Sequence, residues 1–228
     1  MREIVFDTET TGVDPNTGDR MVEIGCIELV NRVPTGRTFH AYFNPDRPMP
    51  IEAERIHGLT DAFLSDKKRF TEHALELMEF LEDSPLVAHN AQFDFAFLNF
   101  EFGCCGHPCV EMARMIDTLA LARRRHPGAK HSLDALCSRY GVDRSHRVLH
   151  GALLDAELLA QVYVELTGGR QIGLELASSP GLVPTAAATT FRPRHRAFRP
   201  ARPHAPSEAE LARHKAFVGT LDSPLWMQ

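Results

Sequence analysis

Two acids one residue apart close the first apolar run of the chain, Asp7 and Glu9 in Ile4-Val5-Phe6-Asp7-Thr8-Glu9-Thr10-Thr11-Gly12. Side chains at i and i+2 of a strand share a face, so both carboxylates project together. Crowded like charges raise each other's pKa unless something neutralises them. A hard divalent cation does so, because Mg²⁺ takes oxygen ligands and leaves its other positions to water and phosphate. Solvated acids at a strand end have the same pattern, so the pair alone does not decide.

Two more acids stand where acids are costly. Asp94 lies in His89-Asn90-Ala91-Gln92-Phe93-Asp94-Phe95-Ala96-Phe97-Leu98, a helical stretch with aromatic residues on most sides. A buried, unpaired carboxylate there is expensive and needs a partner. Asp155 shares a helical face with Leu159, Val162 and Leu166. An acid inside a core-facing stripe breaks binary patterning, and such breaks are expected at functional sites. His150 precedes that helix, close enough to lean over the same spot. Together Asp7, Glu9, Asp94 and Asp155 could hold two divalent ions roughly 3.5–4 Å apart, the spacing used in phosphodiester displacement. Histidine titrates near neutrality, so His150 could take the proton from an attacking water. A strand end and two helices supply these groups, so only tertiary folding can bring them together.

The elements that must do so read as one α/β unit over residues 1–168. Strands are expected at Glu3–Phe6, Met21–Val30, Arg37–Phe43 and Leu86–Ala88, the first two rich in β-branched residues. Helices are expected at Thr71–Leu81, Gln92–Phe102, Thr118–Arg125, Ser132–Tyr140 and Gly151–Thr167, with Asp117 and Ser132 placed as N-caps and Gly168-Gly169 as a stop. Early strands followed by strand–helix alternation predict a mixed sheet with helices on its faces. The 228 residues suffice for one core and a tail, and no apolar run approaches a membrane span. Five unpaired-looking cysteines and no signal-peptide pattern favour a reducing cytoplasm. A zinc site at Cys104-Cys105-Gly106-His107-Pro108-Cys109 lacks a second ligand pair, so a loop of small residues is the better reading.

Net charge is −5, yet residues 177–228 carry seven basic against three acidic residues, so an acidic domain bears a basic tail. Prolines at 180, 184, 193, 200, 203 and 206 with interspersed Arg predict a semi-extended, disordered linker. A last helix is expected at Ser207–Val218, followed by Asp222-Ser223-Pro224-Leu225-Trp226. The only tryptophan, beyond a linker, reads equally as a docking element or a loose tail.

With these residues in place the chain resembles the DEDDh-type 3′–5′ exonucleases. Three segments carry the resemblance: Asp7-Thr8-Glu9-Thr10-Thr11-Gly12, His89-Asn90-Ala91-Gln92-Phe93-Asp94 and His150-Gly151-Ala152-Leu153-Leu154-Asp155. It implies an RNase H-like mixed five-stranded sheet flanked by helices. It also implies two Mg²⁺ or Mn²⁺ ions on Asp7, Glu9, Asp94 and Asp155, with His150 as general base. Ile56-His57-Gly58-Leu59-Thr60 and His131-Ser132-Leu133-Asp134-Ala135-Leu136-Cys137 are similar to the branch that proofreads within bacterial DNA polymerase III. By that likeness Glu52 and His57 meet the 3′-terminal nucleotide of single-stranded DNA. Asp7, Glu9, Thr10, Gly12, His89, Phe93 and Asp155 line the same site, with Phe93 as plain core a near-equal alternative.

Residues 1–170 would then be the nuclease domain, 171–206 a clamp-binding-like peptide and linker, and 207–228 a docking segment. Gln171, Leu174 and Leu176 resemble a peptide that inserts into the sliding clamp, and Leu225 and Trp226 resemble an anchor for the polymerase catalytic (alpha) subunit. A small third core (theta) subunit is a further implied partner. The rival readings are an RNA-trimming or free-standing repair exonuclease and, from another class, a catalytically silent clamp–polymerase adaptor. The tail argues against the first two and the retained acids against the third.

Overall fold

Alternation along the first strand sets the architecture. In β1 (Arg2–Thr10), Ile4 and Phe6 face one side of the sheet and Val5 the other, and all three are fully buried. A strand buried on both faces belongs mid-sheet, with a layer above and another below. The computed structural model, which describes residues 1–145, 147, 149–169 and 205–221, places β1 in that position. The sheet order is β3-β2-β1-β4-β5. β2 (Met21–Val30) and β3 (Val33–Tyr42) form an antiparallel meander with β1. β4 (Leu86–Ala88) and β5 (Met115–Asp117) add in parallel on its other side. The expected mixed five-stranded sheet is thus the observed one.

Two helices cover one face, α3 (Phe70–Leu81) and α4 (Gln92–Cys104). Phe95, Phe97 and Phe102 pack there with Ile4, Phe6 and Ile24, the Phe6 and Phe95 rings meeting edge-on at 5.9 Å. On the other face α7 (Ala152–Leu166) lies over Val5, Ile27, Leu29 and Val87. Behind α7 pack α5 (Thr118–Arg125) and α6 (Leu133–Tyr140). This sandwiching corrects the single-stripe reading of α7. Leu159 faces the sheet, whereas Val162 and Leu166 face the α5/α6 side.

Some boundaries also differ. β1 runs through Thr10 because pairing with β2 continues to Met21, so Asp7 and Glu9 lie inside the ladder rather than beyond it. β3 begins earlier than its apolar residues suggest, because Asn31 and Arg32 both take positive φ (51° and 65°) in a two-residue turn that suits hairpin twist. β5 and the short helices α1 (Ile51–His57) and α2 (Asp61–Leu64) carry too little periodicity to be read from sequence.

By contacts the chain divides into Met1–Leu176 and Ala177–Gln228. The second unit contains α8 (Glu208–Val218), started by a reciprocal Ser207–Glu210 cap. Gln171, Leu174, Leu176, Leu225 and Trp226, and most of the expected linker, lie outside the described residues.

A partly buried ion pair braces the fold near its acids. Arg20 donates twice to Glu101 of α4, at 2.8 and 2.6 Å, and pairs through its backbone with Thr11 after β1. Glu101→Ala should lower unfolding free energy by about 1–2 kcal/mol, because a partly exposed guanidinium loses two charge-assisted hydrogen bonds. Urea denaturation measures this; an unchanged midpoint would remove the brace from the account.

Candidate active site

The acids converge over the carboxyl-terminal half of β1, near the end where open α/β sheets leave a crevice for ligands. A cleft of about 580 Å³ is lined there by Asp7, Glu9, Asp94, His150 and Asp155, together with His89, Asp134 and Arg147. Each acid arrives by a separate local device. Asp7 and Glu9 point from β1 toward α7, opposite Gly25 and Glu23 of β2. Gly25 has no room for a side chain: a Cβ would stand 2.3 Å from the Leu153 backbone. The first turn of α7 therefore rests directly on the strand, which brings Asp155 down to Asp7. Asp94 occupies the first turn of α4 and accepts the Thr8 hydroxyl at 2.8 Å. The turn before it bends through Asn90 (φ 63°), whose N–H donates to Asp117 at 3.0 Å. His150 is exposed, and its N–H donates to the Ile56 carbonyl of α1 at 3.2 Å.

Electrostatics show what the cluster lacks. Burial, followed by the charges of Glu23, Asp155 and Asp94, pushes Glu9 up to about 8. Asp94 rises to about 7 through burial, against the pull of the Thr8 hydrogen bond. Asp7 stays partly open to the cleft, yet enclosure and then the charges of Asp94, Glu9 and Asp155 hold it well above the carboxylate range. Arg147 opposes these shifts at both Asp7 and Glu9. Acids that resist ionising together, offering mostly oxygen donors, form a set suited to hard divalent cations. Ligand atoms of Glu9, His150 and Asp155 all lie within 4.8 Å of one another. Asp7 and Asp94 share the cleft and its field but stand outside that tightest trio.

A second cavity of about 420 Å³ adjoins the first and shares Thr8, Glu9 and Phe93 with it. It gathers the expected nucleotide contacts Thr10, Gly12, Glu52 and His57. The Leu59 N–H donates to His57 Nδ1 at 3.0 Å, so the ring hydrogen is on Nε2, which is buried near the Thr10 backbone without a well-formed hydrogen bond. Burial, the leading cause, depresses the His57 pKa, which favours this neutral donor form. Gly12 is tight against Asp19, where a Cβ would fall 2.2 Å from the carboxylate. Phe93 is partly buried, with its ring 5.0 Å from Phe97, so it is both cavity wall and core. His89 lines only the first cleft, held by Thr118 at 2.9 Å.

Sequence reasoning missed several contributors. Arg147 sits between α6 and α7, where one basic residue in a polar loop gives no signal. Thr8 and Glu23 sit in runs that read as ordinary strand. Gly25 was legible, because a lone glycine inside a β-branched strand marks close backbone approach.

Comparison with known proteins gives concordant relatives. The family model described as Exonuclease matches residues 4–163. The DNA polymerase III subunit epsilon of Rickettsia felis is 48% identical over 224 residues, covering 97% of each chain. That of Escherichia coli is 47% identical over 176 residues, covering 74% of this chain and 72% of its own. Among solved structures, the nuclease domain of 3′hExo, a DEDDh family member bound to rAMP, superposes with a TM-score of 0.63 at 16% identity. It covers 72% of this chain and 91% of its own, and at that identity it supports the fold alone.

Two outcomes are expected. Gly25→Ala should lift the α7 start and misplace Asp155 by about an ångström, costing about 10²-fold in hydrolysis. Steady-state rates with circular dichroism to confirm folding test this. In chelator, thermal stability should fall as pH rises from 4.5, the ordinary value of Glu9, to about 8. Between those limits folded Glu9 keeps a proton that the unfolded chain has released, so each rise in pH disfavours folding. Melting curves of Glu9→Gln should show a flatter dependence; an identical slope would exclude Glu9 as a source.

Proposed function

Because the chain belongs to the DNA polymerase III epsilon subunits of the exonuclease family, we propose that the cleft between β1, α4 and α7 is its centre for hydrolysing the 3′ end of DNA. The enzyme is a metal-dependent 3′–5′ exonuclease of the polymerase III core, removing mispaired terminal nucleotides during replication. The observation that carries the site reading is the convergence of four acids and a histidine at one end of β1, two of the acids with pKa raised to about 7 and about 8.

Asp7, Glu9, Asp94 and Asp155 are the residues to hold two divalent cations, Mg²⁺ or Mn²⁺. Such ions supply an activated water and offset charge on the phosphate being displaced. His150 accepts the proton of the attacking water, its exposed position allowing the proton to pass on to solvent. Thr10, Gly12, Glu52, His57 and Phe93 hold the terminal nucleotide, with His89 on the approach. His57 Nε2–H donates to an oxygen of that nucleotide, and Phe93 offers a face on which any base can stack. Contacts blind to base identity suit removal of any mispaired end, so discrimination comes from easier fraying of an unpaired terminus.

The tail extends this function. Residues 1–170 form the nuclease domain and 171–206 a tether, in which Gln171, Leu174 and Leu176 engage the sliding clamp. Residues 207–228 dock the alpha subunit through Leu225 and Trp226. A tether makes encounter with the primer end effectively intramolecular and raises local concentration without new contacts at the site. A theta subunit completes the core, and the five cysteines, none in a disulfide, suit the cytoplasm.

Joint replacement of Asp7 and Glu9 by Ala should abolish Mg²⁺-dependent digestion of a 3′-mispaired primer while leaving alpha-subunit binding intact. His150→Ala should lower the rate by roughly 10²–10⁴-fold with DNA binding retained. Full activity in the double variant would move hydrolysis elsewhere, and faster turnover of short RNA than of mispaired DNA would favour an RNA-trimming enzyme.

A further inference from the structure

The side chain of Arg147 is nine-tenths buried, and its guanidinium touches three cleft residues at once. Its Nε and Nη2 donate to the two carboxylate oxygens of Asp155 at 2.5 and 2.7 Å. Nη2 also lies 2.8 Å from His150 Nδ1, and Nη1 donates to Asp134 at 2.8 Å. A planar fork matched to a carboxylate in this way takes up both of its oxygens.

The same Nη2 lies 2.8 Å from Nδ1 and 3.4 Å from Nε2 of His150, so it meets the imidazole away from the in-plane lone pair of either nitrogen. The ring in turn stands close to Asp155, with Nδ1 3.2 Å from Oδ2. Arg147 thus covers both oxygens of Asp155 and lies against the His150 ring.

We propose that Arg147 is a built-in counter-cation that competes with the metal for Asp155. This rests on reading the cleft as a metal-dependent hydrolytic centre. A cation that takes an Asp155 oxygen must remove at least one guanidinium hydrogen bond. Losing the bidentate seat also loosens the Nη2 contact to His150, while Asp134 keeps a hold on Nη1. Arg147 is a positioning residue in this scheme, acting through Asp155 and His150. Without it, the acids would face one another with only the more distant charges to offset them.

The test is Mn²⁺ binding to the full chain, followed by loss of the free-ion paramagnetic resonance signal, in wild type, Arg147→Gln, Arg147→Lys and Asp155→Asn. Competition predicts about tenfold tighter binding in Arg147→Gln, the ordinary scale for coupled sites. It also predicts a lower melting temperature in chelator and a larger rise on adding Mg²⁺. Arg147→Lys, which keeps the charge but not the fork, should fall between. In wild type, Mg²⁺ should shift the His150 Nδ1 resonance. A residue that merely supports the loop would weaken Mn²⁺ binding when replaced, so unchanged or weaker affinity in both Arg147 variants overturns the proposal. If wild type binds no Mn²⁺, the metal reading fails and takes the proposal with it. If Asp155→Asn alone leaves affinity intact, the metal reading stands and competition at Asp155 is refuted.

Discussion

Like charges removed from water repel strongly, and this cleft gathers five carboxylates against two arginines. The surrounding structure works to keep them close despite that repulsion. Thr8 fixes Asp94, Arg147 covers Asp155, and the backbone ladder of β1 holds Asp7 and Glu9 side by side. Glu23, directly across the ladder from Glu9, intensifies the repulsion, and it is itself held by His40 at 2.7 Å and by Tyr42. A site this reluctant to ionise has energy to offer an entering divalent ion, since binding relieves the field that folding imposed.

Holding charges against their preference requires stiff supports. Placing β1 mid-sheet, buried on both faces, makes it the least deformable element available. α4 is tied down by its aromatic residues and by the Arg20–Glu101 pair, and α7 by direct seating on Gly25. The loop before α7 carries Arg147 and the exposed His150. The proposed ligands on β1, α4 and α7 and the proposed base are thereby divided between different parts of the chain.

Much of this was legible in the residues themselves. The i, i+2 acids, the aspartate among aromatics and the acid on an apolar helix each violated a local rule, and the violations led to one place. Strand and helix identities followed from periodicity. The remainder depends on distance in space. Arg147 becomes notable only once folding sets it against Asp155, and a three-residue β5 is made by its parallel pairing with β4 rather than by its sequence pattern. β3 depended on a backbone turn at Asn31–Arg32 that apolar content does not encode.

The wall common to the two cavities has an evolutionary implication. Glu9 and Phe93 line both cavities, the proposed reacting centre and the proposed nucleotide pocket. Any substitution that reshapes the pocket to favour one sugar or base over another also disturbs the hydrolytic groups. Selectivity and speed are consequently yoked in this scaffold, and a lineage seeking a new substrate would have to alter residues outside that partition first.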